Sequence, residues 1–144
     1  LNSRPITPLS EDPNDLTALT PGHFLIGDVL RCVPQEDNTH VPVNRLTHYT
    51  LLNQMFQQFW SRWKTEYIHT LQTRKKWVNA TPDIKIGTMV LLKNETTPPL
   101  LWPLGRIVKL HPGQDNITRV VTVKTATGLH KGAIVKVCVL PINV

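Results

Sequence analysis

Gly105-Arg106-Ile107-Val108-Lys109-Leu110 and Ile117-Thr118-Arg119-Val120-Val121-Thr122-Val123-Lys124, separated by Pro112-Gly113-Gln114-Asp115-Asn116, decide the fold. Both runs are rich in β-branched residues and the separator consists of chain-reversing residues, so the pair reads as an antiparallel hairpin. Thr88-Met89-Val90-Leu91-Leu92-Lys93 before it and Ala133-Ile134-Val135-Lys136-Val137-Cys138-Val139 after it repeat the pattern. Asn94 to Pro99 and Ala126-Thr127-Gly128 serve as the other separators. With a final segment at Leu140 to Val144, five short strands make a small closed or half-closed antiparallel barrel the economical arrangement. Arg106, Lys109, Arg119, Lys124, Lys131 and Lys136 punctuate the polar positions of the strands, which predicts one basic face. Trp102, held extended before Pro103, packs across the barrel mouth or stacks on a nucleobase.

Upstream, Asn44 to Val78 contains neither proline nor glycine, and Leu46, Tyr49, Leu52, Phe56, Phe59, Trp63, Tyr67 and Leu71 recur at steps of three and four. That spacing predicts a helix of up to 35 residues, capped by Asn44 and stopped by Thr81-Pro82, with Thr65 as a candidate break. Its aromatic stripe is a core face or an oligomer seam, with base stacking as the further reading. The other faces carry Gln54, Gln57, Gln58, Arg62 and Lys64, and the basic end Arg74-Lys75-Lys76-Trp77 combines cations with a ring suited to base stacking.

The first segment, Leu1 to Val43, is broken by Pro5, Pro8, Pro13, Pro21, Pro34 and Pro42, which leaves room for short helical turns and extended links. Thr20 as N-cap with Pro21 behind it starts one such helix. The chain thus divides into a connector at 1–43, a helix at 44–79 and a barrel at 83–144, an α+β organisation. Charge follows the same division. The connector has 2 basic against 6 acidic residues, a net of −4, whereas Asn44 to Val144 has 14 against 4, a net of +10. A polyanion is the natural partner of so basic a surface, because each Lys or Arg placed on a phosphate releases condensed counterions.

Several function classes are disfavoured. Lys131 and Lys136 interrupt the most apolar stretch, Leu129 to Val144, so no membrane span is expected. Leu1 is not an initiator methionine and no basic-then-apolar leader opens the chain, so the sequence reads as a segment of a larger protein. Cys32 and Cys138, the only cysteines, give neither a disulfide framework nor a Cys-x-x-Cys zinc site, which fits a reduced, intracellular protein. The six histidines, at 23, 40, 48, 69, 111 and 130, are scattered. Asp28 and Glu66 do not form the carboxylate set that two-metal phosphoryl chemistry needs, and no Gly-x-Ser-x-Gly occurs. No catalytic residue and no metal ligand is assigned.

Leu1-Asn2-Ser3-Arg4-Pro5-Ile6-Thr7-Pro8-Leu9, Leu19-Thr20-Pro21-Gly22-His23-Phe24-Leu25-Ile26-Gly27, Phe59-Trp60-Ser61-Arg62-Trp63 and Trp102-Pro103-Leu104-Gly105-Arg106-Ile107-Val108 with His111-Pro112-Gly113 resemble the tail of the integrase region in Pol polyproteins of BEL/Pao-type LTR retrotransposons. The resemblance runs from about Leu1 to Pro141. It departs at Gly132-Ala133, where a basic residue and a proline are usual, and at Val137, where leucine is usual. It implies that the first thirty residues finish an RNase H-like core, that the helix is a linker, and that the barrel is an SH3-like integrase C-terminal domain on DNA. The metal-binding carboxylates and their Mg²⁺ or Mn²⁺ would then belong to the upstream core, leaving this segment without cofactor. The expected partners are DNA, other integrase copies and a chromatin protein, with action in the nucleus after cytoplasmic assembly. The candidate nucleic-acid contacts are Arg62, Lys64, Arg74, Lys75, Lys76, Lys85, Arg106, Lys109, Arg119, Lys124, Lys131 and Lys136, with Trp77 and Trp102 for stacking. A histone-tail module directing insertion and a small-barrel RNA-binding domain are the alternatives.

Overall fold

A computed structural model describes residues 1–72, 84–93 and 97–142. Two short strands, β1 (Thr7–Pro8) and β2 (Ala18–Leu19), pair near the start and are followed by helix α1 (Pro21–Ile26) and helix α2 (His48–Leu71). Strands β3 (Met89–Leu92), β4 (Leu104–Pro112), β5 (Thr118–Thr125), β6 (Gly128–Ala133) and β7 (Val137–Val139) form one antiparallel sheet in the order β6-β5-β4-β3-β7. The protein is therefore α+β, with one long helix and a five-stranded antiparallel sheet. Among the described residues the sheet is open, since β6 and β7 each pair on one side only.

The β4–β5 hairpin turns where its sequence predicts. Gly113 N–H donates to the Ile117 carbonyl at 3.0 Å, and Asn116 takes the left-handed conformation (φ 58°) open to a short polar side chain. Gly105 is required by close approach, because a Cβ there would sit 2.9 Å from the Lys124 carbonyl oxygen and closer still to Val123. The strand count matches expectation but two identities do not. The run from Ala133 to Val139 is divided, with Gly128–Ala133 as a separate fourth strand and a 3-10 turn at Ile134–Lys136 before β7. Leu140 to Ile142 is not a strand. A two-residue turn at Ala126-Thr127, followed by Gly128 at φ 130°, lets β6 begin at once and double back along β5.

Helix α2 starts later than Asn44. Val43–Arg45 forms a 3-10 turn, and Thr47 is the N-cap, its hydroxyl accepting from Thr50 N–H. The helix then runs unbroken for 24 residues, through Thr65, to Leu71. The expected continuation to Val78 and its Arg74-Lys75-Lys76-Trp77 end lie outside the described residues. The buried face also differs from the expected stripe. Gln54, Gln57, Trp60, Lys64 and Ile68 face inward, while Tyr49, Leu52, Phe56 and Phe59 are exposed.

Connector, helix and sheet share one core. Ala18, Trp60, Ile68, Met89, Leu91, Trp102, Cys138 and Leu140 form its larger cluster, with Trp63, Tyr67 and Leu71 packed against it. Val90, Ile107, Val121, Val123 and Val137 fill a second cluster against the sheet. Trp102 sits at the centre of the first. Its ring meets Trp60, Trp63 and Tyr67 at centroid distances of 5.2, 5.7 and 5.5 Å, all close to edge-on, and its Nε1 donates to Ser3 Oγ at 3.3 Å. At 8% exposure it offers no platform for a base, which corrects the stacking alternative. Trp102→Ala should cost about 3 to 5 kcal/mol, the range for large aromatic truncation in a packed core. Denaturant unfolding measures it, and a loss below about 1 kcal/mol would contradict the central position.

Candidate nucleic-acid interface

The register of β4, β5 and β6 builds a cationic row across the outer face of the sheet. Lys109 lies opposite Thr122, and Thr122 opposite Lys131, so the three side chains project from the same face in adjacent strands. A bulge between Ile107 and Lys109 resets the alternation and places Lys109 there. His111, two residues on, stands on that face with its Nε2 2.8 Å from Thr122 Oγ1. Lys109 and Lys131 are exposed, and among the described residues no carboxylate pairs with either. Loss of hydration and then the charges of Lys131 and Lys109 hold the His111 imidazole below its usual pKa. The two exposed ammonium groups on either side of Thr122 make this part of the face electropositive, the property that attracts phosphate oxygens.

The other end of the face is covered. Arg106, opposite Lys124 in register, is 5% exposed. Its guanidinium donates from Nε to the Asp15 carbonyl at 3.0 Å, from Nη1 to the Gly87 carbonyl at 3.1 Å, and from Nη2 to the Ser10 carbonyl. Lys124 Nζ donates to Asn14 Oδ1 at 2.5 Å. The acidic loop from Ser10 to Asp15 is thereby strapped over the sheet, and Arg106, expected on the basic surface, is instead a buried tie.

The remaining candidates divide in the same way. Lys64, also expected to meet nucleic acid, is 1% exposed and bonds Thr97 Oγ1, so it belongs to the interior. Arg62 is exposed and paired one helical turn on with Glu66 at 3.0 Å. Arg119 is exposed, with both Nη atoms on the Asp115 carboxylate at 3.0 and 2.6 Å. Lys85 is exposed in the turn before β3 and Lys136 in the 3-10 turn before β7, neither in register with the row. Arg74, Lys75, Lys76 and Trp77 fall outside the described residues. His111 and Thr122 are the site residues that composition alone does not reveal. Their signal is positional, since alternation along β4 and β5 aligns them with Lys109 once the bulge is known.

No group of three or more His, Cys, Asp or Glu able to hold a metal occurs among the described residues, and no described helix is long and apolar enough to cross a membrane. The chain belongs to DUF5641, a family of unknown function, whose match covers residues 47–140. That span opens at the N-cap of α2 and closes just past β7, so it takes in the helix together with the sheet. No curated protein and no solved structure matches the sequence.

The row carries a test of its own. Because folded His111 releases its proton more readily than unfolded His111, it adds stability above the unfolded pKa of about 6.5 and that contribution fades as pH falls. NMR titration of His111 should give a midpoint below about 6.5 that rises in Lys131→Ala and in Lys109→Ala. A midpoint unmoved by both substitutions would mean the lysines do not face it.

Proposed function

We propose that this chain is a non-catalytic nucleic-acid-binding and scaffolding portion of a BEL/Pao-type retrotransposon integrase, acting on DNA in the nucleus. The row Lys109-Thr122-Lys131 with His111 is the observation that carries this reading. It supplies two exposed ammonium groups and two neutral hydrogen-bonding side chains on one sheet face, a set suited to phosphate oxygens and poor in groups that read base edges. The strand order supports an SH3-like domain. In chain order the five strands lie as 4-3-2-1-5, with a 3-10 turn before the last, so the first strand pairs with the last in a meander suited to closing into a small barrel.

Binding on this surface is electrostatic and tolerant of sequence. Affinity for duplex DNA should fall steeply between about 50 and 200 mM salt, and Lys109→Glu with Lys131→Glu should weaken it while lowering the salt slope by about 2. Both side chains are exposed, so thermal stability should change little. Binding indifferent to salt, or undiminished in the double variant, would remove the row from the interface. Tighter binding to RNA than to DNA of the same length would redirect the reading to the RNA-binding alternative.

The catalytic step is assigned elsewhere in the parent protein. Two-metal strand transfer needs carboxylates converging on the ions, and the integrase reading places these upstream of Leu1. With Mg²⁺ or Mn²⁺ the purified chain should therefore bind DNA ends without cutting or joining them. Metal-dependent nicking that survives repurification would overturn that assignment.

A further inference from the structure

The first half of α2 is built inside out. Its inward face carries Gln54 and Gln57, whose amides bind the backbone of the preceding segment: Gln54 Nε2 donates to the Asn38 and Val41 carbonyls, and Gln57 Nε2 to the Glu36 carbonyl, each at 2.8 Å. Its outward face carries Tyr49, Leu52, Met55, Phe56 and Phe59, which are 43 to 65% exposed. An amphipathic helix packed on its own domain normally shows the reverse. The outward face is therefore an apolar surface left open in the single chain.

We infer that this face pairs with the same face of a second copy, forming a two-fold helix-to-helix dimer. The spacing suits a helix as occupant. Tyr49, Leu52, Phe56 and Phe59 follow steps of three, four and three, the alternation with which one helix receives the knobs of another. The area reaches the needed range. Exposures of this size on five large side chains amount to roughly 600 Å² on one copy, so a two-fold contact that covers the whole stripe removes at most about 1,200 Å² from water, the lower bound of specific interfaces. Charge permits self-pairing. The chain carries a net +6, which opposes association of most of its surface with itself, yet no charged residue occurs between Tyr49 and Phe59. The next charges on the helix that are exposed, Arg62 and Glu66, neutralise one another at 3.0 Å. A cavity of about 490 Å³ adjoins the stripe at Phe56, bordered by Leu30, Val33, Leu101 and Trp102, and gives a protruding side chain of the mate a socket. A two-fold axis meets each requirement with one surface, because an isologous contact sets the same patch against itself.

The inference does not depend on the nucleic-acid reading, and its test uses the whole chain freed of nucleic acid by nuclease and high salt. Light scattering at tens of micromolar should give twice the chain mass. Leu52→Asp with Phe56→Asp should return the mass to that of one chain with far-UV circular dichroism preserved, while Gln58→Asp, exposed beside the stripe, should leave the dimer intact. Should the double aspartate variant fail to fold, Leu52→Gln with Phe59→Gln makes the same comparison without new charge. A wild-type chain that stays monomeric, a dimer that survives the stripe substitutions, or one equally dissolved by Gln58→Asp would overturn the proposal.

Discussion

The edge-on meeting of Trp102 with Trp60, Trp63 and Tyr67 is the contact on which the remaining architecture depends. Trp102 comes from the segment just before β4, its three ring partners come from successive turns of α2, and the hydroxyl that satisfies its indole N–H belongs to Ser3 in the connector. One side chain thus joins three segments that charge and proline content separate. A ring of this size buries more apolar area than any aliphatic residue, and its single polar atom needs only one acceptor. The second half of α2 is fixed by this cluster, and Ile68 and Leu71 then reach Cys138 and Leu140 around β7. The first half has no comparable anchor. It is held by amide side chains on the irregular stretch before it, which releases its apolar face outward.

Cations of one sequence class meet two fates, and burial decides between them. Arg106 and Lys109 lie three residues apart on one strand. Arg106 is covered because the Ser10–Asp15 loop offers carbonyl groups in a fork that suits its planar donors, and a guanidinium that makes three such bonds tolerates removal from water. Lys109 meets no such acceptors and remains solvated. Its ammonium keeps its charge available, and the same holds for Lys131 across the sheet. The connector is acidic and the sheet basic, yet the tie between them runs through neutral carbonyls and Asn14 rather than through carboxylates. The Asp12 and Asp15 carboxylates instead accept hydrogen bonds within their own loop, from Asn14 and Thr17.

The strongest sequence signal was the β-branched hairpin, and it is where the fold is most legible. Two β-branched runs bounded by Pro112-Gly113 and Asp115-Asn116 point to an antiparallel hairpin, and β4 and β5 do pair that way, with two register shifts that the alternation does not announce. The fourth strand is less legible because Gly128-Leu129-His130-Lys131-Gly132-Ala133 lacks β-branched residues; it is a strand because the two-residue turn delivers it to β5, a tertiary reason rather than a propensity. The helix is legible in existence but not in phase. Its aromatic spacing points to one buried face, whereas Gln57, Trp60, Lys64 and Ile68 are the buried positions, each one residue past the expected Phe56, Phe59, Trp63 and Tyr67, and in the first half Gln54 and Gln57 turn inward to bond the backbone groups of residues 36 to 41. The same difficulty affects the site. Counting basic residues finds Lys109 and Lys131, but it equally selects Arg106 and Lys64, since burial of a cation depends on acceptors supplied from distant segments.

The geometry of the row sets a limit on what one copy can hold. Lys109 and Lys131 are two strand spacings apart, about 10 Å, a length that meets two or three phosphates along a duplex. Two ammonium contacts give weak, fast-exchanging attachment at physiological salt, and the groups facing them, a threonine and a histidine, add positioning more than affinity. The scaffolding role proposed for the chain requires longer attachment than that. Two rows on one particle raise apparent affinity by a factor of 10² to 10⁴ without any new contact, provided both reach the nucleic acid together. The helix face and the sheet face are distinct surfaces in sequence and in composition, one uncharged and apolar, the other cationic. If copies pair through the first as inferred, the second stays open, and two rows on one particle would reinforce the weak attachment proposed for each.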